Sequence, residues 1–402
     1  MSNIELFKNL FENTKLSDPT GDRKRSFARF EQLGLPTKAD EAWKYTSLKP
    51  LLAKPYAISA ETKSSAHKTD NEITITCMNG YFDIEAIKQS LSAYKLEVAT
   101  YAEALLQKKI KILDSKDSFL ALNSAFYENG LFISIPERVE VREPIVIKYN
   151  VEQGANFVNP RVYIEIKKES SLQLVEVYSI VTSEYLLNSS LQISVGERAS
   201  FKALKHYDES FVSSHIDNTF IDQANSSSCQ LIQLSKGSQL LRQNLEVAVN
   251  GEGANTDLRG IAILEKDASM DNFIKVHHKA PGSTSRQTFK SILRDQSHYV
   301  FQGNIRIEKE AQKTDSDQVN RNLMLGQKCH VDTKPQLDVF ADDVKATHGA
   351  AIGQLNPDEK FYLESRSISP EKALDMLCAG FALDLLEDLK SPWIKNYLRD
   401  YL

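Results

Sequence analysis

The stretch QLDVFADDVKATHGAAIGQL, Gln336 to Leu355, alternates as a β-strand does and delivers one histidine, His348, onto a glycine-flanked turn. An imidazole so placed could ligate a metal or carry protons near neutral pH. Read from its neighbours alone, a capping histidine where a β region meets a helical tail is the simpler account. The other chemistry-bearing groups are thinner. His277-His278 and Cys329-His330 look like ligand pairs, but adjacent strand residues point to opposite faces, so each pair offers one ligand per site and reads as ordinary strand histidine. DSDQVN, Asp315 to Asn320, begins like a calcium loop and lacks its central glycine and distal glutamate. A polysaccharide-cleaving site would need carboxylates paired across a groove, and the sequence alone does not place Asp332, Asp338, Asp342 and Asp343 together; a solvent-facing role is the simpler alternative. No phosphate-cradling loop is present, and Gly251-Glu-Gly253 lacks the third glycine and the helix of a dinucleotide site. Cys77, Cys229, Cys329 and Cys378 form no C-x-x-C, which disfavours disulfides and a self-contained zinc site and suits reduced thiols.

The bulk chemistry narrows the class. The 402 residues are 41% hydrophobic and 26% charged with a formal net charge of −5, a globular composition that argues against nucleic-acid binding and contains no bilayer-length apolar run. The first residues, MSNIELFKNLFENTKLSD, scatter acids among short apolar steps and resemble neither a secretory signal nor a transit peptide. They read as an amphipathic helix of a cytoplasmic protein.

Three regions must position these groups. Residues 1–130 read as a mixed α/β region: SFARFEQLGLP repeats Phe27, Phe30 and Leu33 until Gly34 and Pro36 close a helix, and ITITCMNGYF predicts a hairpin at Asn79-Gly80. Residues 131–353 are dominated by short alternating strands. A loose pattern recurs there: Ile164-Glu-Ile166 with Glu169 and Ser171, Ile193-Ser-Val195 with Glu197 and Ala199, Val247-Ala-Val249 with Glu252 and Ala254, and Ile305-Arg-Ile307 with Glu310 and Ala311. The spacings are one, two and two steps of roughly 28 residues, which predicts a β-solenoid. A β-sandwich is the alternative. Residues 354–402 return to helical period, with Asn356-Pro357 and Ser369-Pro370 as helix starts and a stripe of Leu374, Leu377, Cys378, Phe381 and Leu385, widened by Leu386 and Leu389. Such a stripe is core or a docking surface.

The segments DEAWKYTSLKPL from Asp40, VFQGNIRIEKEAQKTDSDQVNRNLML from Val300, DTKPQLDVFADDVKATHGAAIGQL from Asp332 and FYLESRSIS from Phe361 resemble the SufB/SufD family of iron–sulfur cluster assembly proteins, the SufD branch most of all. The resemblance implies a right-handed parallel β-helix between helical regions and a non-catalytic scaffold subunit. It further implies pairing with a homologous SufB-like subunit, end of β-helix to end of β-helix, and leaves open whether the chain in isolation forms a homodimer. A SufC ATPase would engage the tail from Asn356 to Leu389, with Phe361 and Leu386 as partner-binding residues. His348 falls on the family's implicated histidine, acting with a SufB cysteine on a transient Fe–S cluster, while the chain alone binds no cofactor. The family's KCSHG is KATHG here, so Ala346 stands where a thiolate is common. A cytoplasmic carbohydrate-active β-helix and a purely structural β-helix are the competing readings.

Overall fold

A computed structural model gives the architecture. It describes residues 3–386, 394 and 397, apart from 15, 60, 111, 114, 115, 153–155 and 180–183. Two long sheets, of 11 and 10 strands, face each other, and from Arg161–Ile166 onward successive strands alternate between them in parallel register. This is a parallel β-helix of about seven turns.

The sequence repeat is the register of that solenoid. One inward file runs Ile164, Ile193, Ile221, Val247, Val276, Ile305, Leu337, each paired with the next. The file beside it runs Ile166, Val195, Gln223, Val249, His278, Ile307, Val339. Gln223 and His278 interrupt its apolar pattern, which is why sequence periodicity skips the two coils that carry them. Corners after the first file's strands are turned by one left-handed residue per coil: Glu169, Arg198, Ser226, Gly253, Gly282 and Lys313. A small buried residue follows each, namely Ser170, Ala199, Ser227, Ala254, Ser283 and Thr314. Ser171 and Ala311 of the expected pattern are therefore out of register. Where the corner residue has a hydroxyl it donates to the carbonyl three residues back, as Ser227 does to Ala224 at 2.7 Å and Thr314 to Ala311 at 2.8 Å.

The N-terminal helices lie on the outer face of the larger sheet. Asn3–Glu12, Asp22–Leu33 and Ser118–Phe126 bring Phe7, Phe27, Phe30, Phe119 and Phe126 against Phe157, Leu186, Ile216 and Leu240. Gly34 ends the second helix with φ 68° and its N–H on the Phe30 carbonyl at 2.8 Å. The Asn79-Gly80 hairpin is corrected: both residues take positive φ and Met78 bridges Tyr81, but the chain then enters the helix Ile84–Ser90. The antiparallel partner of Ile73–Met78 is the preceding strand Ser65–Lys68, and its other edge pairs in parallel with Ile145–Asn150. Phe82, Ile87 and Leu91 join the interior core at the first coil and close that end.

The C-terminal helix Pro370–Leu383 covers the outer face of the smaller sheet. Leu374, Cys378, Phe381 and Leu385 pack with Val146, Val175, Leu204, Ile232, Ile261, Ile292 and Leu323, so this part of the stripe is core. Leu389 lies outside the described residues. Among the described residues no helix is long and apolar enough to cross a membrane.

Candidate functional site

His348 sits on Lys345–Gly353, the edge strand of the smaller sheet, in register with Gln318. Parallel partners share a face, and Ala346, two residues earlier, packs inward with Ile305, Ile307 and Ala341. His348 therefore lies on the lumen face of the last coil. It is exposed and makes no hydrogen bond or ion pair among the described residues. Below it Gln318 is buried, donating to Gln287 Oε1 at 3.0 Å while its own Oε1 has no protein partner. Thr347 points to the outer face and bonds the Asp317 carboxylate. Val339, Phe340 and Ile352 are exposed around this last coil.

Deeper in the lumen lies a charged network that sequence reasoning missed. Lys205 Nζ is fully buried, 2.7 and 2.9 Å from the Asp217 oxygens, 3.0 Å from Glu176 and 2.7 Å from Thr219. Burial works against its charge, and the Asp217 and Glu176 carboxylates outweigh that and hold its pKa above the usual lysine value. Tyr149, Tyr178 and Tyr207 stack along one file, with hydroxyls on Glu176 at 2.6 and 3.2 Å and on Asp217 at 2.7 Å. His215 bridges Glu209 at 2.9 Å and Ser189 at 2.8 Å. The available signal was a charge at matching inward positions, Glu176 and Lys205, in strands whose other inward positions are Leu172, Leu174, Tyr178, Phe201, Ala203 and Tyr207.

His277 and His278 behave as expected of strand histidines: the first pairs with Glu308 at 2.7 Å, the second is buried between Ser283 and Ser285 at 2.8 and 2.9 Å. Burial pushes the His278 pKa down to about 4. His330 needs correction. Cys329 and His330 point to opposite faces as expected, Cys329 inward, but His330 meets His298 of the preceding coil and Asp332, the one group of three His, Cys, Asp or Glu residues among those described whose ligand atoms lie within 4.8 Å of one another. A pair-by-pair reading overlooks contacts made 32 residues away across a coil.

Two of the carboxylates that the carbohydrate reading would pair, Asp332 and Asp338, stand too far apart for it. Asp338 accepts from Asn304 at 2.8 Å, and it stands six residues from Asp332 on one strand, about 20 Å apart, against the roughly 5 to 10 Å such chemistry uses. DSDQVN is a strand, with Asp315 paired to Arg286 at 3.0 Å. All four cysteines are buried, and burial raises the pKa values of Cys77, Cys229 and Cys378. Phe361, on the helix Pro357–Ser365, is 70% exposed, with Tyr362 and Met376 also exposed. Leu386 ends a short 3-10 turn, and its side chain lies outside the described residues.

The family description "SUF system FeS cluster assembly, SufBD core domain" matches residues 149–381, and "SufBD protein N-terminal region" matches residues 5–79. An iron-sulfur cluster assembly SufBD family protein of Synechocystis is 26% identical over 392 residues, covering 91% of this chain and 86% of the relative. The iron-sulfur cluster assembly protein SufD of Escherichia coli is 26% identical over 374 residues, covering 90% and 87%. The chloroplastic protein ABCI7 of Arabidopsis thaliana is 31% identical over 299 residues, covering 72% and 63%.

Proposed function

Because the chain belongs to the SufBD family of iron–sulfur cluster assembly proteins and is SufD-like, we propose that it is a non-catalytic scaffold subunit whose last coil pairs with a SufB-like β-helix. The observation that carries this reading is the contrast within one lumen: closed by Phe82, Ile87 and Leu91 at the first coil and, among the described residues, open at the last, where His348 has no partner and Val339, Phe340 and Ile352 are exposed. Unpaired parallel edge strands with apolar side chains are a template for another chain. Two copies of this chain would meet the same need in isolation.

In the pair, His348 supplies an imidazole and the SufB-like subunit the thiolate for a nascent Fe–S cluster, the cargo of the complex. Ala346 offers no second donor, and the four thiols of this chain are buried and dispersed, so the chain alone holds no stable cluster. The exposed Phe361 and the tail around Leu386 form the dock for a SufC-type ATPase, and the assembly works in the cytoplasm.

Anaerobic reconstitution with and without the SufB-like subunit, followed by iron and acid-labile sulfide analysis, tests this reading. Cluster is expected only with the partner; stoichiometric iron and sulfide on the reduced chain alone would overturn it. Phe361→Asp should weaken ATPase capture about tenfold or more while the β-helix stays folded, since a few apolar anchors dominate an interface. Unchanged capture would place the dock elsewhere.

A further inference from the structure

His298 opens the strand His298–Ile307, and His330 opens its neighbour His330–Val339 one coil later, in direct register. Asp332 follows two residues on and so shares the outer face of the larger sheet. His298 Nε2 lies 2.8 Å and His330 Nε2 3.4 Å from the same oxygen, Asp332 Oδ2. All three ligand atoms fall within 4.8 Å of one another, and the two rings are 5.2 Å apart. Ligands held at about 2.1 Å around a tetrahedral ion stand roughly 3.4 Å from each other, so small side-chain adjustments would seat all three on one ion.

The surroundings fit a cation. His298 and Asp332 are 27% and 21% exposed, which limits their freedom, while His330 is 67% exposed and leaves the outer side open. Lys334, next on the same face, is drawn away to Glu41. Cys329 turns into the lumen, its thiol 3.0 Å from the Gly326 carbonyl, so the donor set is two imidazole nitrogens and one carboxylate oxygen. That set suits Zn2+, Co2+ or Fe2+ better than Ca2+ and Mg2+, which take oxygen, or Cu+, which takes sulfur.

We propose that His298, His330 and Asp332 form a binding site for one divalent transition-metal ion of the Zn2+ class, with an open coordination position toward solvent. The site is separate from His348, which lies on the lumen face of the other sheet, and it does not depend on the partner-pairing reading.

The test uses the full chain, free of any histidine tag and stripped of metal. Titration with Co2+ should give a visible d–d absorption band that saturates at one equivalent and is displaced by Zn2+. His330→Ala and Asp332→Asn should each weaken binding at least about tenfold, whereas His67→Ala, at an exposed histidine on Ser65–Lys68, should leave it unchanged. Because His330 is exposed, its loss should leave the fold intact, which circular dichroism checks. Zn2+ should also raise the melting temperature of the parent chain and not of His330→Ala. A titration without a one-equivalent endpoint, or equal binding by all the variants, would mean adventitious surface binding and overturn the proposal.

Discussion

Two histidines face the same lumen and have different lives. His278, in an interior coil, is sealed by apolar neighbours above and below, Val249 and Ile307, and has a serine hydroxyl on each ring nitrogen. His348, in the last coil, occupies the same kind of inward position with no coil above it and no partner among the described residues. Residue type and inward orientation are shared, one on each sheet, and His348 lacks the next coil that covers His278. A polar lumen residue is structural where the solenoid continues and available for chemistry where it stops. The same contrast separates Lys205, held by Asp217 and Glu176, from the exposed Val339 and Ile352.

The largest effect should come from the interior. Lys205→Met would leave Asp217 and Glu176 buried without their cation, and breaking one partner of a buried ion pair costs about 3–5 kcal/mol. Chemical denaturation of parent and variant measures it, and a loss below about 1 kcal/mol would mean that the network has a neutral alternative. His278 comes next, and its effect depends on pH. Its folded pKa, about 4, lies below the ordinary histidine value, so between the two the unfolded chain binds more protons than the folded one. The stability that His278 contributes is complete above pH about 6.5 and is lost as pH falls toward 4, by up to about 3 kcal/mol. His278→Gln should flatten that part of the curve, and the difference between the two chains isolates it from every other titrating group. Parallel curves would show that His278 is not held neutral.

These interior positions also mark what the sequence does and does not reveal. The files through Ile164, Ile193, Val247 and Ile305 were legible because β-branched residues repeat at the coil spacing, and Asn356 and Ser369 were legible as caps because their acceptors sit beside prolines. The coils carrying Gln223 and His278 were not, since a polar side chain satisfied by neighbours inside a solenoid looks like a break in hydrophobic pattern. The Lys205 network and the group of His298, His330 and Asp332 depend on contacts between coils, 12 to 34 residues apart along the chain, which local spacing cannot register. His348 was legible as an unusual histidine, but its exposure on a lumen face follows only from the register with Gln318.

The open coil should respond in the opposite sense to the interior. Ile352→Asp and Val339→Asp place charge on side chains that are 48% and 39% exposed, so the isolated chain should lose less than about 1 kcal/mol. Association with a SufB-like subunit, or of two copies of the chain, should weaken about tenfold or more, because those side chains would be buried without compensation. Analytical ultracentrifugation of each variant reads both states. Intact association would move the interface away from the last coil.

The smallest effect on folding belongs to His348. With neither burial nor a described partner to lose, His348→Ala should change stability by no more than about 0.5 kcal/mol, and complex formation should persist because the apolar rim is untouched. If its imidazole is the donor this chain gives to the shared cluster, iron and sulfide per intact complex should still fall sharply. Thr347→Ala, on the outer face with Asp317, should be nearly silent in that assay. A capping role predicts the reverse for His348→Ala, a less stable chain with full yield per folded complex. The paired measurement of melting temperature and cluster yield therefore decides whether the last coil differs from the interior in chemistry or only in exposure.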